Sequence, residues 1–168
     1  MDTDAEATLK ALLAAQPIAA LGTLRRGRQG RTEEAEPSVS MVPVAWLPGS
    51  AAAVIHVSAL SPHTREMLDQ PRVSLMLVAH RQPGDNPQAL PRVTVQADAA
   101  PIAMDTPSYV QARSIYLARF AQAAQTFELG DFSLFALVPR SVRFIAGFGR
   151  AYAVGVGDFA RIAGTSDP

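Results

Sequence analysis

The sequence predicts a mainly β domain: an antiparallel barrel with peripheral helices. Three observations point there. About six or seven apolar segments of strand length are separated by Pro, Gly and polar turns. Most links between them are too short for a crossover helix, so hairpins and antiparallel pairing follow. The stretch Arg92 to Ala99 alternates Val93, Val95 and Ala97 against Thr94, Gln96 and Asp98, the pattern of a half-buried strand.

Each element has its own local reason. Residues 4–15 form a short helix, with Leu9, Leu12 and Leu13 at helical spacing and acids in the first turn. Ile18 to Leu24 and Val39 to Leu47 are strands, with Pro43 marking an edge or a bulge. The charged stretch between them, Arg25 to Arg31 followed by Glu33, Glu34 and Glu36, is turn-like. Pro48-Gly49-Ser50 turns the chain into the strand Ala53 to Ser58. A short helix from Ser61 to Asp69 precedes a strand from Arg72 to Ala79, and His80 to Pro91 is a polar loop. Pro107 to Ala124 is the longest helix, with Tyr109, Ala112, Ile115, Tyr116, Arg119 and Phe120 on one face. Phe132 to Val138 and Val142 to Ala151 close the barrel on either side of Pro139. No repeat and no linker interrupts the chain, which reads as a single domain over 1–168 with the barrel in about 17–155.

Composition narrows the function. The chain has 168 residues, enough to bury roughly 70% of its unfolded surface. Apolar residues make up 48% and charged residues only 18%, which leaves room for a buried subunit interface. Lys+Arg and Asp+Glu balance at 15 each, so no basic field attracts nucleic acid or an anionic membrane. With no cysteine there is no disulfide, thiolate nucleophile or iron–sulfur cluster. The acidic N-terminus has the wrong sign for a signal peptide, and no apolar run approaches ~20 residues. A cytoplasmic protein without a membrane span is expected.

The chemistry concentrates between Ser58 and Arg65. There a strand hands over to a helix start, where backbone N–H groups lack internal partners and the helix dipole favours anions. Ser61 suits the N-cap and Pro62 the first helical position. The hydroxyls of Ser58 and Thr64, the His63 imidazole and the Arg65 guanidinium make a phosphate the first ligand to consider. Arg72 and Arg92 each follow a proline at a strand start, where ion pairing competes with ligand binding. His56 lies inside an apolar strand and reads as a half-buried residue, His80 as a solvated one. The three histidines match no metal-site spacing. Gly147-Phe148-Gly149 lacks the third glycine of a dinucleotide fingerprint, and no G-x-S-x-G elbow is present.

Pro37 to Pro43, the run from His56 to Leu77, Arg92 to Val95, Tyr116 to Phe120, Asp131 to Phe135 and Val142 to Ala151 occur in an order that resembles the pyridoxamine 5′-phosphate oxidase-like split barrels. Within them the chain is similar to the branch related to haem-utilisation proteins. The resemblance implies a six-stranded antiparallel split β-barrel that forms a homodimer and binds FMN between its subunits. Carried onto this sequence, Ser58, Ala59, His63, Thr64 and Arg65 hold the flavin phosphate. Ser40 and Val42 run beside the isoalloxazine ring, and Arg92 lies nearby. Glu66 stands where the related branch usually has Asn. The chain stops soon after Ala163, short of the extension of haem-degrading members, so a flavin-dependent oxidoreductase of unknown substrate is expected ahead of haem binding. The deazaflavin F420 and a cofactor-free dimeric module are the further alternatives, and no residue stands out as a catalytic acid or base.

Overall fold

The computed structural model describes residues 1–26 and 35–164. Of the charged first hairpin, Arg25 and Glu36 face each other as a cross-strand ion pair, while 27–34 lie outside the described residues. Helix α1 (Thr3–Ala15) is followed by strands β1 (Ile18–Arg25), β2 (Glu36–Pro43), β3 (Ala45–Trp46) and β4 (Ala53–Ser58). Helix α2 (Pro62–Asp69), β5 (Arg72–Val78), β6 (Arg92–Pro101) and helix α3 (Pro107–Arg119) come next. A 3-10 segment (Ala121–Glu128), β7 (Phe132–Gly147), β8 (Arg150–Val154) and helix α4 (Val156–Gly164) complete the described chain.

All pairings are antiparallel, in the order β2-β1-β5-β6-β7-β4-β3, with β8 beside β7. The sheet is therefore eight-stranded rather than six-stranded, and the two additions have simple causes. At Pro43, which has no N–H to give, the chain leaves β1; Val44 donates its N–H to Pro17, and the two-residue β3 pairs with β4 instead. Farther on, the expected strand Val142 to Ala151 is a hairpin, turned at Phe148-Gly149, where Gly149 has φ 74°. Its first arm is continuous with the strand before it, giving the 16-residue β7. Pro139 does not break β7. Pairing with β6 steps from Gln96↔Ser141 to Ala97↔Pro139, leaving Arg140 as an extra residue that bends the sheet. β2 and β3 stand at opposite ends of the strand order yet are joined by Val44 alone, so the sheet curls until its two ends meet, as a split barrel requires.

Alternation decides what each face buries. Leu21, Val42, Leu75, Val95, Leu137 and Phe144 point into one core, together with Leu9, Leu12 and Leu13 of α1 and Phe159 and Ile162 of α4. Strand β4 is buried on both faces, the mark of a strand covered from two sides. Ala53, Ile55 and Val57 join the main core, while Val54 packs with Leu134 under Tyr116 and Phe120 of the α3 region. Helix α3 stops at Arg119, short of the expected Ala124, because Phe120 leaves helical geometry at φ −132°. Arg119 then donates to the carbonyls of Ala14 (2.9 Å) and Gln16 (2.8 Å), capping the end of α1.

Candidate functional site

Two places collect the residues that could hold a ligand: the β4–α2 turn and the outer face of the sheet. At the turn the expected elements form, with Ser61 at the N-cap and Pro62 in the first turn, and Ser58, Ala59 and Thr64 converge. Their donors point at the protein. Thr64 Oγ1 donates to the Ser58 carbonyl at 2.7 Å, Ala59 N–H to the Asp131 carbonyl at 2.7 Å, and Ser58 Oγ to Asp131 Oδ2 at 2.5 Å. Arg65 stands exposed on the other side of the helix from buried Thr64 and Glu66.

Glu66 is 6% exposed and accepts a 2.5 Å hydrogen bond from the Thr23 hydroxyl on β1. It thus points into the fold, tying α2 to the sheet. His63 is half-buried with Nε2 unpartnered; burial pushes its pKa down, and the Glu66 carboxylate pulls the other way. On β2, Ser40 Oγ is also buried without a partner. Val42 sits in the main core, so on β2 the side chains turned outward are Val39 and Met41, at 74% and 63% exposure. Arg92 lies away from the turn, on β6 opposite Ile145, and donates to the carbonyls of Gln88 (3.2 Å) and Leu90 (3.1 Å). It anchors the preceding loop.

The outer face is read from the register. Met41, Ala20 and Met76 form one row across β2, β1 and β5; Val39, Gly22, Ser74, Gln96 and Ser141 form the next. Three shallow hollows join along this face. The first, ≈ 430 Å³, lies between Gly22, Val39, Arg72, Ser74, Gln96 and Arg140. The second, ≈ 500 Å³, shares Gln96 and adds Thr94, Arg143 and Tyr152. The third, ≈ 360 Å³, shares Ala151 with the second and ends at Arg92, Phe148 and Arg150. One half of the face is thus apolar, with Ile18, Val39, Met41 and Met76 exposed, and the other half is rich in arginine. Asp98 pairs with Arg140 and Asp2 with Arg150, whereas Arg72 and Arg143 have no carboxylate partner among the described residues. Sequence alone does not show this face, because its apolar half comes from β1, β2 and β5 and its basic half from β5 to β8. The period-two alternation of Val39 and Met41 was its one legible signal.

His56 belongs to neither place. It is 8% exposed, stacked on Phe127 with centroids 3.8 Å apart, with Tyr116 edge-on and Phe132 tilted against it. Burial lowers its pKa to about 4, helped by the Arg113 cation nearby. No group of three or more His, Cys, Asp or Glu able to hold a metal occurs among the described residues, and no helix among them is long and apolar enough to cross a membrane.

Residues 5–146 match the family model described as pyridoxamine 5′-phosphate oxidase. The chloroplastic haem oxygenase HOZ of Arabidopsis thaliana is 33% identical over 128 residues, covering 76% of this chain and 37% of that protein. The haem oxygenase HutZ of Vibrio cholerae is 28% identical over 122 residues, covering 72% and 68%. A haem-binding protein from Mycobacterium smegmatis superposes with TM-score 0.79 at 28% identity, over 96% of this chain and 61% of that one. The chain therefore spans well under two thirds of HOZ and somewhat under two thirds of the mycobacterial protein. With most of its length matched by the family model and its sheet curled as the resemblance implies, the chain belongs to the pyridoxamine 5′-phosphate oxidase family, in the split-barrel branch related to haem-utilisation proteins.

Proposed function

We propose that this chain is a haem-binding subunit of the haem-utilisation kind, working as a homodimer whose two outer sheet faces enclose the ligand. The observation that carries the reading is the division of that face into an apolar half and an arginine-rich half. A porphyrin needs both: flat apolar surface for the macrocycle and cations for its two propionates, which guanidinium forks bind bidentately. Ile18, Val39, Met41 and Met76 supply the first; Arg72 and Arg143, without a carboxylate partner among the described residues, supply the second. A second copy related by a two-fold axis covers the exposed side chains that water otherwise meets. The names of the relatives point the same way, since HOZ, HutZ and the mycobacterial protein are all described by haem. These names support the haem alternative better than the flavin oxidoreductase expected from the sequence.

A histidine that would hold the haem iron has few sources. His56 is closed in by Phe127 and Tyr116, leaving His63, with an unpartnered ring nitrogen, and the exposed His80. When bound, haem supplies redox chemistry at its iron, and the protein's share is to hold the macrocycle and neutralise its carboxylates. Titration with haemin is expected to give a saturable Soret band that weakens in Arg143→Glu. Loss of that band in His80→Ala or His63→Ala identifies the axial imidazole. An Arg143→Glu protein with unchanged haem affinity contradicts the propionate assignment.

A further inference from the structure

We propose that Asp131 closes the β4–α2 turn to phosphate, making it a residue that selects which anionic ligands this chain accepts. A strand running into a helix N-terminus ordinarily presents free amides to an anion. Here the amides of Ala59, Leu60, Ser61 and Thr64 are committed within the fold. Ser61 N–H donates to the Ser58 carbonyl at 3.1 Å, Thr64 N–H to the Ser61 carbonyl at 3.1 Å, and Leu60 N–H to Ser58 Oγ at 3.1 Å. Ala59 N–H donates to the backbone carbonyl of Asp131 at 2.7 Å, so Asp131 is tied to the turn by its main chain as well as by its side chain.

The hydroxyls are committed too. A serine or threonine hydroxyl has one proton to donate. That of Ser58 goes to Asp131 Oδ2 at 2.5 Å, and that of Thr64, which is 4% exposed, goes to the Ser58 carbonyl at 2.7 Å. What these two hydroxyls keep for an incoming anion is oxygen lone pairs, which repel it, and His63 Nε2 is the neighbouring side-chain nitrogen left without a partner. Charge acts in the same direction, because the Asp131 carboxylate occupies the position beside Ser58 where a phosphate oxygen would have to sit. Arg65 is exposed, and no ion pair holds it against Asp131 among the described residues. Ser58, Ala59 and Thr64, their donors spent on Asp131 and on the turn itself, therefore do not fit the phosphate of FMN or of F420. A ligand bearing only carboxylates, bound on the outer face, is untouched by this closure. Phosphate exclusion by Asp131 is read out without haem, so it can fail while haem binding holds, and the reverse.

The full chain, labelled with ¹⁵N, is titrated with inorganic phosphate at constant ionic strength as wild type, Asp131→Asn and Asp131→Ala. Asn keeps an oxygen to accept from Ser58 while removing the charge, and Ala also frees the Ser58 hydroxyl. Amide spectra unchanged outside the turn show that the fold persists in each variant. No saturable shift is expected at Ala59, Leu60, His63 or Thr64 in the wild type. A saturable shift is expected in at least one variant, with phosphate affinity raised by about tenfold or more. Saturable shifts in the wild type, or no gain in either variant, overturn the proposal.

Discussion

On β4 an imidazole lies flat against a phenyl ring, His56 on Phe127, with only 10° between their planes. Thr126 donates its hydroxyl proton to the Ala123 carbonyl at 2.8 Å, so at 3.3 Å from His56 Nδ1 it accepts, and the proton sits on Nδ1. Burial holds the ring neutral, with a pKa lowered from 6.5 to about 4. The unfolded chain then takes up the proton first, so stability is complete above the unfolded pKa and declines as pH falls towards about 4. Denaturation by urea is expected to show a loss on the order of 2 kcal/mol across that window, smaller in His56→Phe. A residual slope remains in the variant, because the pKa of His63 is lowered in the same direction. Thr23→Val makes a second residue-scale test. It leaves the buried Glu66 carboxylate without its hydroxyl donor and should cost about 1–3 kcal/mol at neutral pH by the same measurement. The sequence reading of His56 as half-buried understates its burial, and the stacking is not legible there, since Phe127 arrives from a 3-10 segment beyond the expected helix.

Elements were legible where the local signal was also the deciding one. Strand β4 and the start of α2 follow from an apolar run, a Ser at the N-cap position and a Pro in the first turn; all three stand where expected, though the Ser61 side chain makes no capping bond. Helix α4 was missed because its apolar residues Phe159, Ile162 and Ala163 are few and lie close to the end of the sequence. It is held by tertiary packing instead, Phe159 edge-on to Trp46 at 5.5 Å and Arg161 paired with Glu6 of α1. Arg119 joins α3 to α1 in a similar way. Arg119→Met keeps the apolar stem but removes donors from two carbonyls at the end of α1. Thermal unfolding should show a destabilisation of about 1–3 kcal/mol, and Arg119→Lys should recover part of it. The turn before α2 shows the limit of local reading. Its anion-friendly composition was visible, but the residue that fills it, Asp131, is remote in sequence and reaches Ser58 only through the β4–β7 pairing.

For the whole molecule, curling the sheet hides one face in the core and leaves the other exposed. The curl follows from features in the chain: Pro43 ending a pairing, and the extra residue at Arg140. The outward row Met41, Ala20, Met76 is unusual for a face left in water, and the proposed two-fold dimer would cover it. Sedimentation should find a dimer in the wild type and a monomer in Met41→Asp, with circular dichroism unchanged because Met41 contributes nothing to the core. The most direct measurement on the central claim is absorbance of the purified protein titrated with haemin and then passed through a sizing column. A saturating Soret band is expected to travel with the dimer and to be lost, together with the dimer, in Met41→Asp. Haem that fails to stay with the wild-type protein, or binds the Met41→Asp monomer equally well, contradicts that claim.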